Sequence, residues 1–300
     1  MKRFWRFGFV LSSLFTLASA TAPSAWAQQP PAATGPNLTE PVYRISKNDA
    51  SRVPSNVTPH ALDPALQLAR DGLSRVQQGV NDYTAVIVKR ERVGDELGDH
   101  EYMFAKVRNR KVQNGQVVVP FSVYLMFLKP TSIKGREVVY VENRNDGKMT
   151  AHEGGMKRML GTHHLEPTSW LAMQGQRYPI TDLGIEMLLS KLIERGERSK
   201  TDPECKVSYT PNAKVSKRPC TILQVTHPKQ HPQVEFHIAQ IFIDDELQLP
   251  VRYAAYIWPK APGAEPEVLE EYTYQDLKIN VGLTDDDFNI NNPSYNFSRK

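Results

Sequence analysis

The stretch Val117-Val118-Val119-Pro120-Phe121-Ser122-Val123-Tyr124-Leu125-Met126-Phe127-Leu128 decides the fold. It predicts one long strand, because successive side chains of a strand point to opposite faces. Phe121, Val123, Leu125 and Phe127 point one way; Tyr124, Met126 and Leu128 point the other. Both faces are apolar, so the strand needs cover on both sides or lines an apolar cavity.

The same period extends around it. Asn114-Gly115 marks a tight hairpin turn just before. Upstream, Tyr83 to Val93 and Tyr102 to Arg108 are predicted strands, separated by Gly94-Asp95 and Gly98-Asp99. Downstream come Gly135 to Glu142 and Lys148 to His152. The last third holds Lys206 to Thr210, Thr221 to His227, Val234 to Ile243, Val251 to Trp258 and Val268 to Ile279. Two helices interrupt the strands. Leu66, Ala69, Leu73, Val76 and Val80 form one stripe of a helix over 63–79, with Asp63 as its cap and Pro64 in its first turn. Leu183, Met187, Leu188, Lys191 and Leu192 share a face of a second, within a helical and irregular middle section over 153–200. The order helix, strands, helix, strands predicts an α+β fold, a large antiparallel sheet with helices on one face. It is not the strand–helix alternation of a nucleotide-binding fold.

At the N-terminus, Met1 to Arg6 is basic and Phe7 to Ala18 is apolar. Ala25-Trp26-Ala27 is a small-x-small site, so residues 1–27 are expected to be an export signal cut after Ala27. The mature protein is then soluble and periplasmic or otherwise exported. Residues 28–60, with six prolines and little apolar content, are expected to be a linker without fixed structure. The expected domain covers 61–292, and 293–300 is a tail. The 300 residues carry a formal charge of +4. Removing Lys2, Arg3 and Arg6 leaves 34 basic residues against 33 acidic. That balance argues against a nucleic-acid partner.

Cys205 and Cys220 are the only cysteines. In an exported chain they are expected to pair as a disulfide; the alternative is two buried free thiols.

Catalytic signatures are missing. Gly154-Gly155 has no phosphate-loop pattern around it, and neither GxSxG nor SxxK occurs. His227 and His231 have zinc-helix spacing, but Pro228 and Pro232 forbid the helix, so no metal site is expected. Glu270 and Glu271 are adjacent on a strand and face opposite ways, so they cannot flank one bond. Asp285-Asp286-Asp287 is a turn that a calcium ion or solvent could meet. No cofactor and no enzymatic activity are expected.

Several strings together resemble a known family. These are Pro120-Phe121-Ser122-Val123-Tyr124, Phe127-Leu128-Lys129-Pro130, Lys134-Gly135-Arg136-Glu137-Val138, Asn145-Asp146-Gly147-Lys148 and Gly175-Gln176-Arg177-Tyr178-Pro179-Ile180-Thr181. Arg218-Pro219-Cys220, Glu271-Tyr272-Thr273-Tyr274 and Gly282-Leu283-Thr284-Asp285-Asp286-Asp287-Phe288 continue them. Over residues 62–290 the chain resembles the secreted, planctomycete-type domain of unknown function family 1571. The order of its elements, with Lys129-Pro130 and a last strand ending in Asn280-Val281-Gly282-Leu283, is distantly similar to the periplasmic lipoprotein carriers LolA and LolB.

That similarity implies an incomplete β-barrel with helices packed on its concave, apolar face. It implies acyl chains or a lipidated protein as ligand, and a non-enzymatic carrier or sensor. Tyr124, Met126, Leu128, Trp170, Met173, Leu188, Phe236 and Trp258 are then expected to line the lipid cavity. Arg90 and Arg92, on one strand face, could meet a headgroup or lid, or pair on the surface with Glu101 or another acid. The alternative is an envelope scaffold binding a protein or glycan partner without lipid.

Overall fold

In a computed structural model the protein is described over residues 60–297. The expected export signal (1–27) and nearly all of the expected linker (28–60) lie outside the described residues.

The chain begins with helix α1 (Asp63–Gly79), followed by strands β1 (Asp82–Val93), β2 (Glu96–Leu97), β3 (Glu101–Arg108), β4 (Lys111–Gln113), β5 (Gln116–Val119) and β6 (Ser122–Lys129). Next come β7 (Glu137–Val141), β8 (Met149–His152), β9 (Thr162–Leu165) and helix α2 (Ile185–Ser199). The last strands are β10 (Lys206–Val215), β11 (Arg218–Thr226), β12 (Ile238–Asp244), β13 (Pro250–Tyr256) and β14 (Val268–Ile279).

Twelve strands form one antiparallel sheet in the order β10-β11-β12-β13-β14-β1-β3-β6-β7-β8-β9, with β2 beside β1. The sheet curves without closing into a barrel, and both helices lie on its concave face. This is the expected α+β architecture. The first and last long strands pair at its centre, Arg90 opposite Glu271 and Tyr83 opposite Ile279. The register slips between Thr84 and Val86, and Asp276 on the partner strand takes φ +50°. Such a bulge bends a strand and increases its twist.

Three local expectations change. The predicted strand 117–128 is two strands, because Pro120 has no N–H for the ladder. Gln116–Val119 instead pairs with Lys111–Gln113 as a separate hairpin. Asp63 does not cap α1: Leu62 is at the cap position without a side-chain bond. The Asp63 carboxylate accepts the His60 N–H at 3.2 Å and pairs with Lys200 at 2.7 Å. The middle section holds an edge strand, β9, that its exposed Thr-His-His run did not announce.

Helices α1 and α2 approach closely at two glycines. A Cβ on Gly196 would lie 2.7 Å from Leu66 Cδ2, and one on Gly72 3.2 Å from Leu189 Cδ2. The start of α2 is held by buried Tyr83, whose hydroxyl accepts the Ile185 N–H at 3.0 Å.

Within the expected tail, residues 295–297 are docked on the sheet, and 298–300 lie outside the described residues. Tyr295 stacks on Tyr124 with ring centres 4.1 Å apart. Buried Glu137 accepts the Asn296 backbone N–H at 2.7 Å and its amide at 2.9 Å. With Phe288, this segment covers Val139 and Val141 on the convex face.

The two thiols are free and buried. In the β10–β11 ladder Ala213 is opposite Cys220, while Lys206, next to Cys205, is opposite Thr226. The cysteines are therefore about seven residues apart along the ladder, roughly 23 Å at the rise of a strand. A disulfide needs Cα atoms within about 7 Å. The expected disulfide is replaced by the alternative of two thiols.

Candidate ligand-binding cavity

A cavity of about 600 Å³ lies on the concave face between the sheet, α2 and the segment 165–184. Its sheet wall is apolar: Ile87, Met103, Leu125, Phe127, Val138 and Met149. Leu171, Ile180, Leu183 and Leu188 face that wall from the other side.

Strand parity builds this surface. Along β1, Ile87, Lys89 and Glu91 all face the cavity. The strand thus carries the lining from hydrocarbon to charge over four residues. Lys89 and Glu91 meet Glu101, Glu270, Tyr178, Tyr272 and Arg195 at the polar end.

Glu270 is the centre of this end, with its side chain fully buried. Its Oε1 accepts Arg195 Nη1 at 2.6 Å, and its Oε2 accepts Arg177 Nε at 3.1 Å and the Tyr178 hydroxyl at 2.8 Å. Arg195 also donates to the hydroxyls of Tyr253, at 2.9 Å, and Tyr178. Glu91 accepts the Tyr272 hydroxyl, the Arg177 backbone N–H at 3.0 Å and Lys89 Nζ at 3.2 Å. Lys89 reaches Gln176 and stands 3.3 Å from Glu101.

Burial alone would weaken the Arg195 charge, but Tyr253, Glu270 and Tyr178 around it raise its pKa. Burial and then Glu270 push the Tyr178 and Tyr272 hydroxyls above the ordinary phenol value. Burial does the same to Tyr253. These tyrosines therefore remain protonated donors, and the cluster is a fixed set of dipoles and ion pairs.

A second space of about 70 Å³ lies under α1, bounded by Leu66, Ala69, Leu189, Phe236 and Ile241. It has room for no more than about two water molecules.

The expected lining residues separate. Leu188 lines the large cavity and Phe236 the small one. Tyr124 and Met126 pack on the convex face under the C-terminal segment. Leu128 also lies outside the cavity lining. The cavity takes the other side of that strand, Leu125 and Phe127. The sequence marked both faces as apolar and could not say which was concave. Trp170 is 77% exposed, although its neighbour Leu171 lines the cavity. Met173 is half-buried, with Ala172 and Gln174 on the lining either side of it. Trp258 is half-buried and donates its indole N–H to the His227 carbonyl at 3.0 Å.

Arg90 and Arg92 point away, as the other parity requires. Arg90 donates to the Gly98 carbonyl at 2.9 Å. Arg92 donates to the Val268 and Asp95 carbonyls and pairs with Glu267 at 3.0 Å. Sequence reasoning missed Lys89, Glu91, Glu101, Arg177, Arg195 and Glu270. The available signal was the strand phase that Lys89 and Glu91 share with Ile87; Arg177 and Arg195 are on no strand and carried none. Glu271 does face opposite Glu270, and pairs with Arg252 at 2.6 Å on the other side.

Among the described residues, no group of three or more His, Cys, Asp or Glu side chains is placed to hold a metal. His227 is buried and bonds Asp202 Oδ2 through Nδ1 at 2.6 Å. Among the described residues no helix is long and apolar enough to cross a membrane.

The profile of the family described as "Protein of unknown function (DUF1571)" matches residues 80–297. Comparison with curated proteins gives no match. Among solved structures, the chain is similar to a DUF1329 family protein from Desulfovibrio piger ATCC 29098. That match has 14% identity and a TM-score of 0.34, covering 77% of this chain and 98% of that one. It is similar to a chain of the Pseudomonas aeruginosa MucA/MucB complex, at 15% identity and a TM-score of 0.41. There it covers 75% of this chain and 60% of that one, under two thirds of the relative's length. It is similar to the Mycobacterium tuberculosis lipoprotein LppX, at 13% identity and a TM-score of 0.38, covering 74% and 98%. Likenesses this distant carry no argument about ligand or activity.

Proposed function

The chain belongs to the DUF1571 family, and from that premise we propose a non-enzymatic carrier or sensor of acyl chains, free or attached to a protein. The single observation behind this reading is the division of the concave cavity. One wall is hydrocarbon, and one end is a buried cluster of ion pairs and hydroxyls. An amphiphile is the ligand class that matches both halves.

The size supports an acyl chain. At about 30 Å³ per methylene, close to the share of one liquid water, the cavity takes a chain of roughly 16–20 carbons. Removing each methylene from water contributes about 0.8 kcal/mol before the costs of association. Leu125, Phe127, Met103 and Leu188 would hold the chain. The segment 165–184 would move aside to admit it. On this reading residues 1–27 direct export, and the working site of the protein is the periplasm or beyond.

Native mass spectrometry on protein purified from a bacterial periplasm, followed by organic extraction, tests the proposal. Co-purifying acyl lipid or lipopeptide is expected, and Leu125→Arg should abolish it. A clean apo mass, unchanged by added lipids, would overturn the proposal and favour a scaffold that meets its partner through the sheet.

A further inference from the structure

The polar end of the cavity has a charge balance that restricts what can sit there. Three cations and three carboxylates meet: Lys89, Arg177 and Arg195 against Glu91, Glu101 and Glu270. Each cation is already held. Glu270 takes both arginines, and Lys89 lies between Glu91 at 3.2 Å and Glu101 at 3.3 Å. Farther along the lining, Arg136 pairs with Glu153 at 2.9 Å and Lys191 with Asp182 at 3.4 Å. Lys157 is exposed at the rim.

Acceptors, by contrast, are in surplus. Glu101 Oε2 is buried and accepts no hydrogen bond; Lys89 balances its charge without being aligned to donate. The Glu101 side chain is 22% exposed. A half-turn about its last, broad torsion exchanges the buried oxygen with the exposed one. An ionised carboxylate accepts at about four lone-pair positions.

We propose that the polar end receives an uncharged head that donates hydrogen bonds, such as a glycerol hydroxyl or an amide N–H, seated against Glu101. Acyl ligands with anionic heads are selected against. This inference rests on the acyl-binding reading above and specifies its ligand. An anionic head would enter among three carboxylates and would have to take a cation from one of them. That would leave a buried carboxylate unpaired, which is the costly outcome in a site of low polarity. A hydroxyl or amide head uses lone pairs already present and displaces nothing.

Equilibrium dialysis of the full chain at pH 7.4 against radiolabelled laurate and 1-monolauroylglycerol, each below its micelle concentration, tests this. The two share one chain and differ in the head. Monolauroylglycerol is expected to bind about tenfold tighter than laurate, a gap of one factor of ten in Kd. Glu101→Gln, which removes charge and keeps shape, is expected to shrink that gap to about threefold or less. Equal binding, or tighter binding of laurate, overturns the head assignment and leaves the acyl reading intact. An undiminished gap in E101Q overturns the role of Glu101. Binding of neither compound overturns the acyl reading, and this inference with it.

Discussion

Glu270→Gln is the sharpest test of the buried cluster. The substitution keeps the side-chain shape and removes one charge. Glu270 is fully buried, and its partners are partly so: Arg195 is 13% exposed and Arg177 23%. Removing one partner of a buried ion pair typically costs about 3–5 kcal/mol, because the remaining charge stays buried and unpaired. The lower end applies here. Arg195 keeps the Tyr253 hydroxyl at 2.9 Å and has Glu235 at 3.8 Å, and Arg177 keeps the Arg92 carbonyl at 3.0 Å. We therefore expect a loss of about 3 kcal/mol, which in a domain of this size lowers Tm by about 6–12 °C. Urea unfolding should show a lower midpoint with an unchanged slope. Arg70→Ala is the control. Its pair with Glu197 is 46% and 43% exposed, and exposed pairs contribute about 0–1 kcal/mol. If E270Q costs no more than that control, solvent screens the cluster and the argument from its burial fails.

Three further predictions concern other parts of the fold. Burial pushes the Cys205 thiol up to about 12 and the Cys220 thiol to about 11. Neither should react with a thiol reagent at pH 8 until denaturant is added, when both should; a native mass two hydrogens light would contradict the structure. Burial, the largest influence, holds the His227 imidazole below its ordinary value against the opposing pull of Asp202. A histidine lowered in the folded state binds protons more readily when unfolded, so its stabilisation is present above about pH 6.5 and fades as pH falls. Wild-type Tm should fall more steeply than that of His227→Asn between pH 7.5 and 5.5, and parallel curves would refute this. Tyr295→Ala should cost about 3 kcal/mol by urea unfolding, as for other buried aromatic truncations; a loss below about 1 kcal/mol would mean that the C-terminal segment is not docked.

Much of the architecture was legible because it rests on periodicity. Helix α1 and strand β14 have the boundaries that their side-chain stripes predict. What escaped depends on partners distant in sequence. The tail reading failed because Tyr295, Asn296 and Phe297 are too few to announce a docked segment. Their anchors, Tyr124, Glu137 and His152, lie more than 140 residues earlier. The disulfide reading used the presence of two cysteines in an exported chain, but ladder register decides which cysteines can meet.

The cavity shows the same limit at its clearest. Strand β6 is apolar on both faces for two different reasons. Leu125 and Phe127 face the cavity, while Tyr124 and Met126 lie under the C-terminal segment. Hydrophobicity cannot distinguish these covers, because both exclude water. Charge can. On β1 the phase that holds Ile87 continues into Lys89 and Glu91, and the opposite phase runs from Val88 to Arg90 and Arg92. Both phases end in charge. The first is buried and closed on carboxylates, at 11% and 5% exposure for Lys89 and Glu91. The second ends in Arg90 and in Arg92, itself only 11% exposed, which bond the Gly98 and Val268 carbonyls and, for Arg92, Glu267. What marks the cavity side is the element that answers the buried acid opposite each phase: Glu271, opposite Arg90, pairs with Arg252 of the adjacent strand β13. Glu270, opposite Glu91 in the β1–β14 register, is held instead by Arg177 and Arg195, from the segment and the helix that cover the concave face.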